Sequence, residues 1–362
     1  MIALQRRLGL GDSVVLGLGS MIGAGIFVAL APAAKSAGSY LLVALLIAAF
    51  VAWCNATSSA RLAALYPESG GTYVYARERL GPFWGYLAGW GFVVGKIASC
   101  AAMALAVGHY AWPAHAHPVA VLTIATITAV NYLGVKKSAF ATKIIVGCVL
   151  VVLLIVVVVA FNQPRSAAST IGSPLGILQA AGLLFFAFAG YARIATLGEE
   201  VREPRHTIPL AINLALLATF LLYASVAAAL LYALGPARLS AASNPLATVV
   251  ADSPALEAIV GTGAVLAATG SLLALVLGVS RTTLAMARDG HLPRALAHLN
   301  ERHGGPDRAE LLIGMIVAVL AATLDLRNAI GFSSFAILLY YLLANLSALT
   351  LTKNENLSLI HI

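Results

Sequence analysis

The chain is divided into apolar runs of roughly twenty residues, separated by short polar connections, and this division limits its fold more than any other feature. Wound as a helix, about 20 residues span the roughly 30 Å hydrocarbon core of a bilayer. Backbone groups find no water at that depth, so only helices and closed barrels can cross. Barrel strands alternate apolar and polar residues; these runs are continuous, which selects helices. Only 10% of the 362 residues are charged and 60% are hydrophobic. A water-facing surface takes roughly a quarter charged. The chain therefore reads as an all-α integral membrane protein.

Windowed hydropathy places about ten spans, near 12–34, 40–61, 83–108, 118–134, 140–161, 175–196, 207–234, 257–284, 309–325 and 328–351. If the N-terminus is cytoplasmic, the inner segments hold about fifteen Lys and Arg residues, among them Arg6, Arg7, Arg77, Arg202, Arg288 and Arg308. The outer segments hold four: Lys35, Arg165, Arg238 and Arg327. This is the positive-inside asymmetry of a multi-pass protein of the cell membrane. It accounts for the net charge of +8 without a nucleic-acid partner. Connections are too short for a soluble domain, so 1–352 is expected to be a single transmembrane domain. Residues 353–362 read as a non-spanning tail, either non-native or marking a truncation. Cys54, Cys100 and Cys148 all lie in apolar runs and read as small buried hydrophobes. No metal site and no cofactor are expected.

The first span contains Gly17-Leu-Gly-Ser-Met-Ile-Gly-Ala-Gly-Ile-Phe27. Each glycine costs a helix about 1 kcal/mol relative to alanine, so four of them weaken the helix at mid-depth. A break there frees peptide N–H and C=O groups, which are tolerated only against a cavity or ligand. The N–H groups at a helix start suit a carboxylate; freed carbonyls suit an ammonium. Gly19 and Gly23 also suit a helix-packing face. A dinucleotide loop would need a preceding strand, which is absent. The sixth span carries a second irregularity, Phe185-Phe-Ala-Phe-Ala-Gly190-Tyr-Ala-Arg193. Interrupted segments at corresponding places of two halves point to a transporter site.

Five pieces in order carry a resemblance: Gly19-Ser-Met-Ile-Gly-Ala-Gly-Ile-Phe27, Tyr66-Pro-Glu-Ser-Gly-Gly-Thr-Tyr73, Phe185-Phe-Ala-Phe-Ala-Gly-Tyr191, Gly198-Glu-Glu-Val-Arg-Glu-Pro204 and Ser280-Arg-Thr-Thr-Leu-Ala-Met-Ala-Arg-Asp-Gly290. Together they resemble the amino acid–polyamine–organocation superfamily of transporters, especially its bacterial amino acid permeases. The resemblance implies a LeuT-like inverted five-plus-five repeat with helices 1 and 6 broken. Repeat one would cover about 12–161 and repeat two about 175–351. Many relatives have twelve or more spans. Substrate would lie at the breaks: Ile22, Gly23, Ala24 and Gly25 toward its carboxylate, Ser20 and Met21 toward its amine. Phe186, Ala187 and Ala189 would add carbonyls beside Gly190, with Phe188 or Tyr191 as a lid. Glu199 and Glu200 would form gating ion pairs with inner arginines such as Arg77. Lys143 would take the place of a coupling sodium ion and carry proton coupling.

Two more basic residues fall inside spans, Lys96 and Arg193. A mid-membrane charge costs at least about 2.5–3.5 kcal/mol and points to function. Lys96, beside Gly95, suits either a hydrogen bond to exposed carbonyls of span one or a place along the aqueous path, with no specific role assigned; Arg193 is expected to face the inner vestibule and pair with Glu199 or Glu200. No Asp or Glu lies in the middle of a span, which favours a neutral amino acid over a cationic one or a polyamine. The spans hold no nucleophile–base constellation, so an enzyme is not expected. The expected partners are an amino acid, protons and the lipid bilayer. Amino acid sensing without transport is the alternative of another class.

Overall fold

The glycines, prolines and apolar runs of the chain set where its helices start, break and stop. The computed structural model describes residues 6–133, 135–166, 172–242, 244–300, 304–324 and 326–352; the expected tail, 353–362, lies outside them. Span one is α1 (Leu10–Met21), α2 (Ala24–Val28) and α3 (Leu30–Ala37). Ala29 keeps right-handed helical angles (φ −80°, ψ −23°), so α2 and α3 form one arm beyond the break at Ile22 and Gly23. α4 (Leu41–Leu65) follows, then the short α5 (Thr72–Leu80) between Gly71 and Gly81, both at positive φ. Next come α6 (Pro82–Ala111), α7 (Ala116–Tyr132) and α8 (Val135–Asn162).

Span six is α9 (Pro174–Phe188), a 3₁₀ turn at Ala189–Tyr191 and α10 (Ala192–Ala195). α11 (Pro204–Ala241) bends at Gly235, where φ is +68°. The chain continues through α12 (Pro245–Val249), α13 (Pro254–Arg288), α14 (Asp307–Thr323) and α15 (Leu326–Leu349). By length and composition, seven helices among the described residues can cross a membrane: α4, α6, α7 with the turn before it, α8, α9 continued to Ala195, α11 and α13. The other three expected spans are the interrupted α1–α3, the 17-residue α14 and α15. The short helices α5 and α12 lie in stretches the hydropathy reading left as connections.

Large apolar side chains face outward in helical stripes. Leu210, Leu214, Leu217 and Leu221 on α11 are exposed, as are Val151, Leu154 and Val158 on α8. A spacing of three and four residues puts each set on one helix face. A surface of that kind fits an apolar solvent, so the chain is a multi-pass membrane protein. The interior is built around α6 and α13, which pack on each other. α1 lies against α11 and α8, α4 against α9, and α7 against α14. This packing brings both broken spans to the middle, with α1 against the span-six turn and α2 against α9.

Candidate functional site

The two breaks cross at a point where no side chain fits. A Cβ on Gly190 would lie 2.5 Å from the Ser20 carbonyl carbon and 2.7 Å from the Met21 nitrogen. On the other side, a Cβ on Gly25 would lie 3.0 Å from the Ala187 Cβ. The glycines therefore serve close approach as well as weak helicity. At the break, Ile22 N–H still donates to Leu18 O (2.6 Å), but Gly23 N–H turns back to Met21 O (2.8 Å). The first N–H groups of α2 then open it without acceptors in their own helix.

A cavity of about 30 Å³ lies at this crossing. Of the residues expected from the sequence, Ser20, Met21, Gly23, Gly25, Ala187, Ala189 and Gly190 line it. They are joined by Lys96, Ser99 and Met103 of α6 and by Ser271 and Leu275 of α13. That volume holds a water or two, so an amino acid is accommodated only when the surrounding elements separate. Ile22 is placed at the break but is not among the lining residues; the side chains expected at Ala24 and Phe186 lie outside the described ones. Phe188 and Tyr191 are fully buried beside it. Phe188 packs on Tyr223 at 5.3 Å and Tyr191 stacks on Tyr341 at 5.5 Å. Neither lines the cavity.

Sequence reasoning missed the groups that hold the freed carbonyls. Tyr223 donates its hydroxyl to Met21 O (2.6 Å) and Tyr341 to Ala189 O (2.7 Å). Ser271 donates to Ser20 O (3.1 Å), and Ser20 Oγ lies 2.8 Å from Gly190 O. Met21 O also accepts from Gly23 N–H and Gly190 O from Ala192 N–H, so both lone pairs of these two carbonyls are already engaged. The available signal was hydroxyls in the middle of apolar runs; nothing local tells which carbonyl each one meets.

The face that carries the N-terminus is closed by two ionic layers. In the buried layer, Arg281 of α13 donates through Nε to Glu200 Oε1 (2.9 Å) and through Nη1 to Glu310 Oε1 (2.5 Å). Outside it, Arg288 binds Glu199 through Nη1 at 2.8 and 3.0 Å. Arg77 of α5 pairs with Asp289, Glu78 and Glu68. The expected partner of Glu199 and Glu200 is thus corrected: each takes an arginine of α13, because Arg77 sits on α5 and is occupied. Arg193 is also reassigned. It donates through Nη1 to Thr196 Oγ1 (2.6 Å) and forms no ion pair among the described residues. Tyr73 donates to Asp289 (2.6 Å); burial and that carboxylate push its phenol well above the usual range, so it stays a donor.

Main-chain contacts draw the same face together. Arg7 and Leu8 N–H donate to Glu200 O at 2.9 and 3.0 Å, and Arg202 N–H donates to Leu8 O at 2.8 Å. Ser69 N–H donates to Glu199 (3.3 Å), so the segments around Glu68 and Gly198 meet. Lys143 of α8 pairs with Asp12 of α1 at 2.5 Å, with 47% of its side chain exposed. It meets span one there and does not line the cavity.

Residues 8–358 match the family described as amino acid permease. The chain is 64% identical to an uncharacterized transporter of Mycobacterium tuberculosis, over 97% of this chain and 82% of that protein. It is 28% identical to a branched-chain amino acid permease of Bacillus subtilis, over 98% of this chain and 82% of that one. It is also 28% identical to a vacuolar cationic amino acid transporter of Arabidopsis thaliana, over 96% of this chain and 60% of that protein.

Proposed function

Because the chain belongs to the amino acid permease family, within the amino acid–polyamine–organocation superfamily, we propose that it moves an L-amino acid across the cytoplasmic membrane by alternating access. The observation that carries this reading is the crossing of two broken spans, where Gly190 lies against Ser20 and Met21 beside a small polar cavity. Peptide N–H groups of one broken span and peptide carbonyls of both meet there. That combination suits a zwitterion.

The packing supports two five-span halves of opposite orientation. Exchanging span one with six, two with seven, three with eight, four with nine and five with ten maps one set of contacts onto another. The α1–α11 contact becomes α9–α4, α6–α15 becomes α13–α8, and α4–α15 becomes α11–α8. The N-terminal face then lies in the cytoplasm, in keeping with its excess of arginine. The two ionic layers there form the inner gate, with Glu199 and Glu200 as its acidic members.

A neutral substrate is favoured, because no carboxylate lines the cavity among the described residues. Purified protein in liposomes should take up a labelled amino acid saturably, faster under an inward proton gradient. Binding without uptake would replace transport with sensing, and a preference for arginine or polyamines would replace the neutral substrate. Proton coupling is assigned to Lys143, which makes and breaks its pair with Asp12 as α1 moves against α8. Lys143→Met should transport without dependence on the proton gradient; unchanged dependence removes Lys143 from the mechanism.

A further inference from the structure

Lys96 is a cation with no assigned counter-ion at the centre of the molecule. It sits halfway along α6, is 6% exposed, and lines the same cavity as Ser20, Gly23 and Ser271. Gly95 beside it lets α6 lie close to α15, where a Cβ would come 2.7 Å from Ala336. That close packing fixes the face on which Lys96 is presented. Ser99, one turn further on, also lines the cavity, with its Oγ 2.5 Å from Ser333 Oγ.

Among the described residues, the buried and half-buried acids are committed elsewhere. Glu200 and Glu310 bind Arg281, Glu199 binds Arg288, Asp289 binds Arg77 and Asp12 binds Lys143. Among the described residues Lys96 forms no ion pair, and no acid lines its cavity. A buried charge in a membrane span is kept when something neutralises it during the working cycle. Here the free side of the ammonium is the cavity itself.

We infer that the Lys96 ammonium is a carboxylate-binding group of the substrate site, and that its charge excludes amino acids with cationic side chains. This rests on the reading of the cavity as an amino acid site. The carboxylate is either the α-carboxylate of a neutral amino acid or the side-chain carboxylate of an acidic one. Ser99 stands close enough along α6 to add a hydroxyl donor to either. A cationic side chain would place a second positive charge in a cavity that already holds one, with no acid among the described lining residues to balance it. The charge acts on which substrate is accepted.

The test is uptake into liposomes by wild type, Lys96→Met and Lys96→Arg, each verified as folded by gel filtration and melting temperature in detergent. Leucine, glutamate, arginine and isoamylamine, which lacks a carboxylate, serve as competitors. Wild type should be inhibited by leucine or glutamate and not by arginine or isoamylamine; which of the first two competes identifies the carboxylate. Lys96→Met should raise KM for the carboxylate-bearing substrate at least tenfold and gain inhibition by arginine. Lys96→Arg, which keeps the charge, should keep the exclusion of arginine even if Lys96→Met fails to fold. Arginine uptake by wild type equal to that of leucine or glutamate overturns the inference. So does Lys96→Met with unchanged KM and selectivity, or Lys96→Arg that accepts arginine. Failure of wild type to move any amino acid is a different result: it removes the transport function itself.

Discussion

At Gly190 two opposing effects meet. Alanine would favour helix over glycine by about 1 kcal/mol, but its Cβ would press on the backbone of Ser20 and Met21. Backbone cannot rotate away as a side chain can, so the steric effect wins. Gly190→Ala should lower transport at least tenfold and lower the melting temperature. Gly182→Ala on α9 is the matched control, because nothing lies within 4 Å of a Cβ there; it should be neutral or slightly stabilising. Equal behaviour of the two variants would mean that the crossing does not need a glycine. The importance of Gly190 was legible in the sequence. Its contact with Ser20 was not, because 170 residues separate the two.

The two ionic layers between α13 and its neighbours differ in burial, and burial sets their energetic roles. Arg281, Glu200 and Glu310 are at most 1% exposed. Arg281→Met leaves two carboxylates buried without their cation, a loss of about 3–5 kcal/mol for a broken buried pair. Arg288 and Glu199 are each 23% exposed, so Arg288→Met should cost no more than about 1 kcal/mol. Melting in detergent should rank the two variants in that order, and the reverse order would contradict the assignment of layers. The sequence singled out Glu199 and Glu200 for ion pairs with inner arginines such as Arg77; the partners are inner arginines, but Arg288 and Arg281 rather than Arg77. Arg77 and Arg281 are both basic residues near helix ends, and sequence offers no means of telling which reaches Glu200.

Over the whole molecule, the ion-paired N-terminal face and the small central cavity describe one arrangement; the proposed transport requires others that admit a substrate. With Cys54, Cys100 and Cys148 replaced, Glu199→Cys combined with Arg288→Cys should be joined by a short bifunctional thiol reagent. Uptake should stop, and return when the link is cleaved; uptake unaffected by a complete crosslink would exclude opening at this face. The sequence by itself determined the helical membrane class, the approximate span limits and the two places where helices lose their winding. Those properties follow from hydropathy over about twenty residues and from the intrinsic cost of glycine, both of which are local. Only the tertiary structure decided that Tyr223, Tyr341 and Ser271 hold the freed carbonyls, that Arg281 rather than Arg77 meets Glu200, and that Lys96 reaches the cavity. Each of those is a contact between spans far apart in the chain, fixed by how helices pack and face one another, and hydropathy does not record helix rotation.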